Sequence, residues 1–344
     1  MLLDPALRSV LDAAVPFALP LRRPFRGTVL REGMLIRGPS GWGEFAPFDD
    51  YSDAAAARWL DSALEAAFGS YPEARRTEIE VNAIIPAVAS ADAASLAREA
   101  VIDRGCRTVK VKVGSPDLAD DEARVASIRD VLDTVLGRGR GAIRIDANGA
   151  WDVARGTLAL RRLGAYGLEY VEQPCRSVDE LRELRSLVDV PFAVDETIRT
   201  ADHPDAIRVR EYADVAVLKP APLGGVAALL RVAEAIDVPV VVSGSLDSSV
   251  GLDVAVAAAA ALDDLPFACG LGTGALLAAD VVERSRVAEG GILVTGRTAP
   301  DLSALLAARD RLGEDRAAWW RERLAAAWLA GAGERSGWLV SDAI

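Results

Sequence analysis

Residues 107–114 read RTVKVKVG, and the placement of this stretch decides the fold. Valines alternate with Lys110 and Lys112, the period-two pattern of a half-buried strand, so both ammonium groups project from one face. Strand geometry sets them about 7 Å apart. Packing alone gives an apolar strand no reason to hold two cations so close.

Working outward, short β-branched runs alternate with helical stretches such as VAALLRVAEAI (226–236). The runs are EVNAIIPA (80–87), TVKVKVG (108–114), AIRIDAN (142–148), LEYVEQP (168–174), FAVDET (192–197), DVAVLKP (214–220), VPVVVSGS (238–245) and PFACGLG (266–272). Eight strands joined by right-handed crossovers predict an α/β fold, a closed parallel barrel. An open doubly wound sheet is the alternative, weakened because no GxGxxG follows the first strand.

The flanks read differently. FRGTVLREGMLIRGPSGWGEFAPF (25–48) alternates as a small antiparallel sheet with glycine turns. SDAAAARWLDSALEAAF (52–68) predicts a helix with Ser52 as N-cap. Two further helices in 281–344 are expected to return over the N-terminal segment. The expected organisation is a capping region at 1–78, a barrel at 79–280 and a returning segment at 281–344.

Composition narrows the function. The net charge of −12 over 344 residues argues against a nucleic-acid binder. Cys106, Cys175 and Cys269 form no CxxC, as in a reduced, cytoplasmic protein. Asp4 stands where a secretory signal needs basic residues, and the longest apolar run, VAVAAAAAL (254–262), is too short to span a bilayer. The single histidine, His203, excludes multi-histidine chemistry and most zinc sites; a solvated or capping role is expected of it. The pattern leaves the oligomeric state open, a monomer being one option.

Barrel chemistry belongs at the C-terminal strand ends. There the sequence sets Lys110 and Lys112, then Arg144, Asp146 and Asn148, then Glu172, Asp195 with Glu196, Lys219, the turn Ser243–Gly244–Ser245, and the glycines of GLGTG (270–274), Gly272 among them. Charges inside a barrel are costly unless paired or bound to metal. Asp146, Glu172 and Asp195 lie on neighbouring strands, an all-oxygen set suited to Mg²⁺ first and Mn²⁺ second. Lys112 and Lys219 fall on opposite sides of the ring. Two lysines flanking a metal-held substrate suit removal of a proton from carbon next to a carboxylate. The base must be neutral part of the time, so the Lys112 ammonium is expected to fall toward pKa ~7–8, helped by Lys110 beside it.

In order and spacing, KVKVG, DAN, VEQP, VDET and LKP resemble the enolase superfamily, in particular its muconate-lactonising subgroup. The resemblance covers nearly the whole chain and implies a modified (β/α)7β TIM barrel with an α+β capping domain. It also implies Asp146, Glu172 and Asp195 as Mg²⁺ ligands and Lys112 and Lys219 as the catalytic lysine pair. Asn148 and Glu196 match the motif without being primary ligands. RIDAN (144–148), SGSLDSSVGL (243–252) and GLGTG look most like the subgroup's dehydratase branch. That branch is a set of hydro-lyases on the route to menaquinone, acting on a succinyl-bearing hydroxycyclohexadiene carboxylate. Lys112 would then take the ring proton and, once protonated, assist departure of the hydroxyl. Lys219 would support the enediolate, and Ser243–Ser245 would hold the succinyl carboxylate.

N-Succinylamino acid racemisation and muconate cycloisomerisation stay open, because the first uses the same lysines and a similar succinyl group. CGLGTG lacks the Asp-x-Asp with which dipeptide epimerases hold an ammonium. Specificity is expected from the capping loops around Pro24–Gly27 and Phe45–Phe48. Outside the superfamily, a Schiff-base aldolase would leave three carboxylates without a role. A binding protein without catalysis would have no need of the full set.

Overall fold

The computed structural model describes residues 4–25 and 27–332; residues 1–3, Arg26 and the part of the predicted returning segment after 332 lie outside it. Helix α1 (Pro5–Asp12) leads into a meander of β1 (Ala14–Phe25), β2 (Thr28–Gly38) and β3 (Gly41–Phe45), antiparallel in that order. The alternation from Phe25 predicted β2 and β3 but not β1. Pro16, Pro20 and Pro24 hide β1, and it tolerates them because it is the edge strand of the three-stranded sheet. Its pairing with β2 becomes irregular between Pro20 and Phe25.

Helix α2 (Asp53–Phe68) starts where predicted, with the Ser52 hydroxyl accepting the Ala55 N–H. It lies on β3 and buries Trp59, Leu60 and Leu64.

Beyond β4 (Glu78–Glu80) the chain alternates β5 (Ala83–Ile85), α3 (Ser90–Ile102), β6 (Thr108–Lys112), α4 (Leu118–Leu136), β7 (Ala142–Asp146), α5 (Val153–Leu163), β8 (Leu168–Glu172), α6 (Val178–Arg185), β9 (Phe192–Val194), α7 (Glu196–Arg199), β10 (Val215–Leu218), α8 (Pro220–Leu223), α9 (Val226–Ala235), β11 (Val240–Val242) and α10 (Leu252–Ala261). Strands β5 to β11 form one parallel sheet in sequential order, which no doubly wound topology gives. The eighth run, PFACGLG, is not a regular strand. It closes the ring through two parallel bridges, Gly270 to Ser243 and Cys269 to Val81. A side chain at Gly270 would stand 2.5 Å from the Ser243 hydroxyl, so only glycine allows that approach.

After β12 (Ile292–Val294), which pairs with β4, α11 (Leu302–Leu312) packs on β1 and α12 (Glu314–Ala327) on α2. Trp320 is buried there and donates to Glu32. His203 is exposed, and at the start of a short 3₁₀ turn its ring caps nothing. No helix among the described residues is long and apolar enough to cross a membrane.

A buried carboxylate links the α2 layer to the barrel. Glu65 of α2 accepts the N–H groups of Val226 (2.5 Å) and Ala227 (3.0 Å), capping α9 from outside its own segment. Gly225 is required, since a Cβ there would overlap the Glu65 carboxylate. Glu65→Ala is expected to lower stability by about 1–3 kcal/mol, because one buried and one half-buried N–H donor lose their acceptor. A denaturation midpoint no lower than wild type would refute it.

Candidate active site

Registration of the strands lines up Lys112, Asp146 and Glu172 in one row, with Lys110, Arg144 and Tyr170 in the row below. The lower row is buried. Lys110 Nζ lies 2.7 Å from Glu172 Oε2 and 3.7 Å from Asp146 Oδ2. Burial alone would lower the Lys110 ammonium, but attraction by Glu172 and Asp146 outweighs it and holds the group above the ordinary lysine range. Lys110 is thus a fixed cation.

Lys112 Nζ donates to Asp146 Oδ2 (2.5 Å) and Asn148 Oδ1 (2.6 Å). Asn148 has a positive φ of 46°, and its amide donates to Glu196 (3.1 Å). Across the ring Lys219 Nζ lies 2.6 Å from Asp195 Oδ2, with Arg199 Nε 3.1 Å from the other Asp195 oxygen. Gln173 was not anticipated. Its side-chain oxygen accepts the Asp195 and Thr197 N–H groups and so fixes the end of β9. The only signal for it is its place in VEQP.

Lys110, Lys112, Asp146, Lys219, Ser243, Gly244 and Ser245 border one cavity of about 30 Å³. Phe25 and Phe48, from the two segments in which specificity was expected to lie, border it from the cap, and Ile84, Leu246 and Thr273 complete the wall. A groove of about 980 Å³ lies at the other end of the barrel, lined by Arg75, Val238 and Asp263 among others. Barrel chemistry is not found at that end.

Three residues expected to support substrate do not border the cavity: Asn148, which instead accepts from Lys112, Arg144 and Gly272. Arg144 does not border the cavity; it is fully buried and bound to Glu169 (2.5 Å), Asn82 (2.9 Å) and the Ala268 carbonyl (2.6 Å). Face alternation assigned it correctly to the barrel interior, two residues below Asp146, but not to these partners. Gly272 serves packing, since a Cβ there would stand 2.5 Å from the Asn82 carbonyl oxygen; its neighbour Thr273 borders the cavity instead.

Asp146, Glu172 and Asp195 occupy three adjacent strand ends, each turned on a cation. No three His, Cys, Asp or Glu side chains among the described residues stand together as a finished metal shell. Their chemistry nonetheless fits a hard divalent cation. Glu172 Oε1 is buried without a hydrogen-bond partner. Burial, then Asp146 and Asp195, pushes the Glu172 carboxyl up, against the pull of Lys110 and Lys219. The unpartnered Glu172 oxygen, on an acid whose charge burial penalises, is the donor a hard cation would satisfy.

A parallel barrel with facing lysines and carboxylates at its strand ends, roofed by an antiparallel cap, defines a class of enzyme. Residues 92–316 match the model of the enolase C-terminal domain-like family, and residues 16–67 that of the enolase N-terminal domain-like family. The fold is similar to that of a muconate lactonizing enzyme from Pseudomonas fluorescens, with a TM-score of 0.71 at 22% identity, over 86% of this chain and 97% of that one. An o-succinylbenzoate synthase of Mycobacterium tuberculosis is 48% identical over 94% of this chain and 95% of its own. One of Thermobifida fusca is 49% identical over 90% and 94%. The chain belongs to the enolase superfamily and, within it, to the o-succinylbenzoate synthase family. Enzymes of this superfamily generally use a divalent metal ion.

Proposed function

We propose that this chain catalyses the o-succinylbenzoate synthase reaction, dehydrating 2-succinyl-6-hydroxy-2,4-cyclohexadiene-1-carboxylate to 2-succinylbenzoate. The observation that carries the reading is the presence of Lys112 and Lys219, from strands on opposite sides of the ring, on the wall of one cavity.

Neutral Lys112 Nζ takes the proton from the ring carbon bearing the carboxylate. The resulting ammonium gives that proton to the neighbouring hydroxyl on the same face. The C–O bond breaks, water leaves, and the ring becomes aromatic. Lys219, paired with Asp195 at 2.6 Å, opposes the charge that develops on the substrate carboxylate. Asp146, Glu172 and Asp195 are the residues that would hold Mg²⁺, which would supply positive charge to that carboxylate. The Ser243–Ser245 turn faces the succinyl arm. Phe25 and Phe48 exclude water, and they must withdraw to admit substrate, since 30 Å³ holds little more than one water.

Two lysines on opposite faces would also serve racemisation of an N-succinylamino acid, a second reading that the same geometry favours.

Loss of the cyclohexadiene absorbance, followed with Mg²⁺, with EDTA and after Mg²⁺ is restored, tests the assignment. Turnover is expected to disappear with EDTA and return with Mg²⁺, and Mn²⁺ is expected to substitute. A wild-type protein inert with Mg²⁺ would remove the synthase reading. Deuterium exchange into N-succinylamino acids would then read the racemase.

A further inference from the structure

The Ser243–Ser245 turn is held from behind by charged groups that the chemistry above does not use. Asp247 Oδ2 accepts the Ser245 N–H at 2.7 Å. Glu44, on β3 of the cap, accepts the Ser248 N–H at 3.0 Å. Arg31, on β2, donates through Nε to the Leu246 carbonyl at 3.0 Å and through another nitrogen to the Ala46 carbonyl. Leu246 has a left-handed backbone (φ 66°), so the peptide that Arg31 grips is in a conformation a leucine rarely adopts. All three charged side chains are buried, at 3%, 7% and 6% exposure for Arg31, Glu44 and Asp247.

The glycines of this segment are shaped to these acids. A Cβ on Gly244 would stand 2.6 Å from Asp247 Oδ2, and one on Gly251 2.6 Å from the Glu44 carboxyl carbon. Glu44 and Asp247 border one small cavity whose wall includes Gly244 and Ser245. Those two residues also border the active-site cavity, so the turn is the partition between the two. The charged groups facing the acids are Arg31 from β2 and Lys219 at the end of β10. Helices α2 and α10 present only Trp59, Ser62, Val254 and Ala255 to that cavity.

We propose that Glu44 and Asp247 are positioning residues for the substrate's succinyl carboxylate, and that the turn holds its binding shape only while Glu44 is protonated. The inference rests on the reaction assigned above. Lys219 is taken up by Asp195 at 2.6 Å, so the two buried carboxylates share one buried guanidinium; when both ionise a negative charge is in excess, and their repulsion acts on the two peptide groups that they hold. Burial, then Asp247, raises the Glu44 carboxyl to about 7 against the pull of Arg31 and Ser248. An acid raised in this way favours the ordered form below that pH, and the advantage is lost as pH rises through it.

The test is KM and kcat from about pH 6 to about pH 8.5, where the substrate carboxylates stay ionised. Wild-type KM is expected to rise by up to about tenfold per unit above pH 7, with no matching fall in kcat. Glu44→Gln, which imitates the protonated acid, is expected to keep KM low and flat. Asp247→Ala is expected to raise KM throughout. Wild-type KM that stays flat, or a Glu44→Gln protein that retains the rise, would overturn the proposal. A direct readout keeps it separate from the reaction itself. The protonated-carboxyl infrared band that Glu44→Gln abolishes should be present at about pH 6 and gone by about pH 8.5. Its absence at the lower pH overturns the inference whether or not the enzyme turns over, whereas its presence in an inert enzyme overturns only the reaction.

Discussion

Lys112→Ala is expected to cut kcat for the dehydration by about 10²–10⁴, the usual contribution of a positioned general base. The fold should survive. Lys112 sits at the cavity edge with its side chain 12% exposed, and Asp146 retains Lys110 at 3.7 Å when Lys112 is gone. Lys112→Arg should fail almost as badly, because a guanidinium preserves the charge beside Asp146 but cannot give up its proton. The comparison separates a base from a cation that merely steadies the carboxylates. The ring proton's exchange with solvent deuterium should vanish in both variants while substrate still binds. Lys112→Ala turnover within tenfold of wild type would move the role of base to another lysine of the cavity wall, Lys219 rather than Lys110, which Glu172 and Asp146 hold as a cation.

The lysines and carboxylates were legible because chemistry constrains both the residue type and its place at a strand end. Period-two alternation in RTVKVKVG and RIDAN gives the inward face directly, and the strand register confirms it. Ser52 was legible for a comparable reason, since a cap acts within three residues. What escaped was carried by contacts between segments far apart in the chain. Glu44 meets Ser248 across 204 positions and Glu65 meets Val226 across 161, and neither acid stands in a pattern that marks it. β1 escaped because prolines mask an edge strand. The ring closes within the predicted eighth run, but over two bridges at Cys269 and Gly270 rather than a regular strand. Arg144 is the instructive case. Alternation gives its face, but its partners come from Glu169, Asn82 and Ala268 on three other segments. Those partners, not the face, decide what an arginine does inside a barrel.

That difference makes Arg144→Met the sharper test of structure against sequence. The side chain is fully buried, its Cζ 4.7 Å from the centre of the Tyr170 ring and 5.8 Å from that of Phe267. Methionine fills much of the volume but leaves Asn82 Oδ1, the Ala268 carbonyl and the Glu169 carboxylate without their donor. Breaking a buried pair on one side costs about 3–5 kcal/mol. Glu169 has 27% of its side chain in contact with solvent, so water recovers part of that, and about 3 kcal/mol is expected. The denaturant midpoint should fall with an unchanged slope. KM for the folded fraction should stay within about threefold of wild type, a shift worth under 1 kcal/mol, because Arg144 borders no part of the cavity. Glu169→Gln in the same background should cost less than it does alone, since the carboxylate it removes has already lost its partner. A variant with wild-type stability and a KM raised a hundredfold would instead return Arg144 to the substrate.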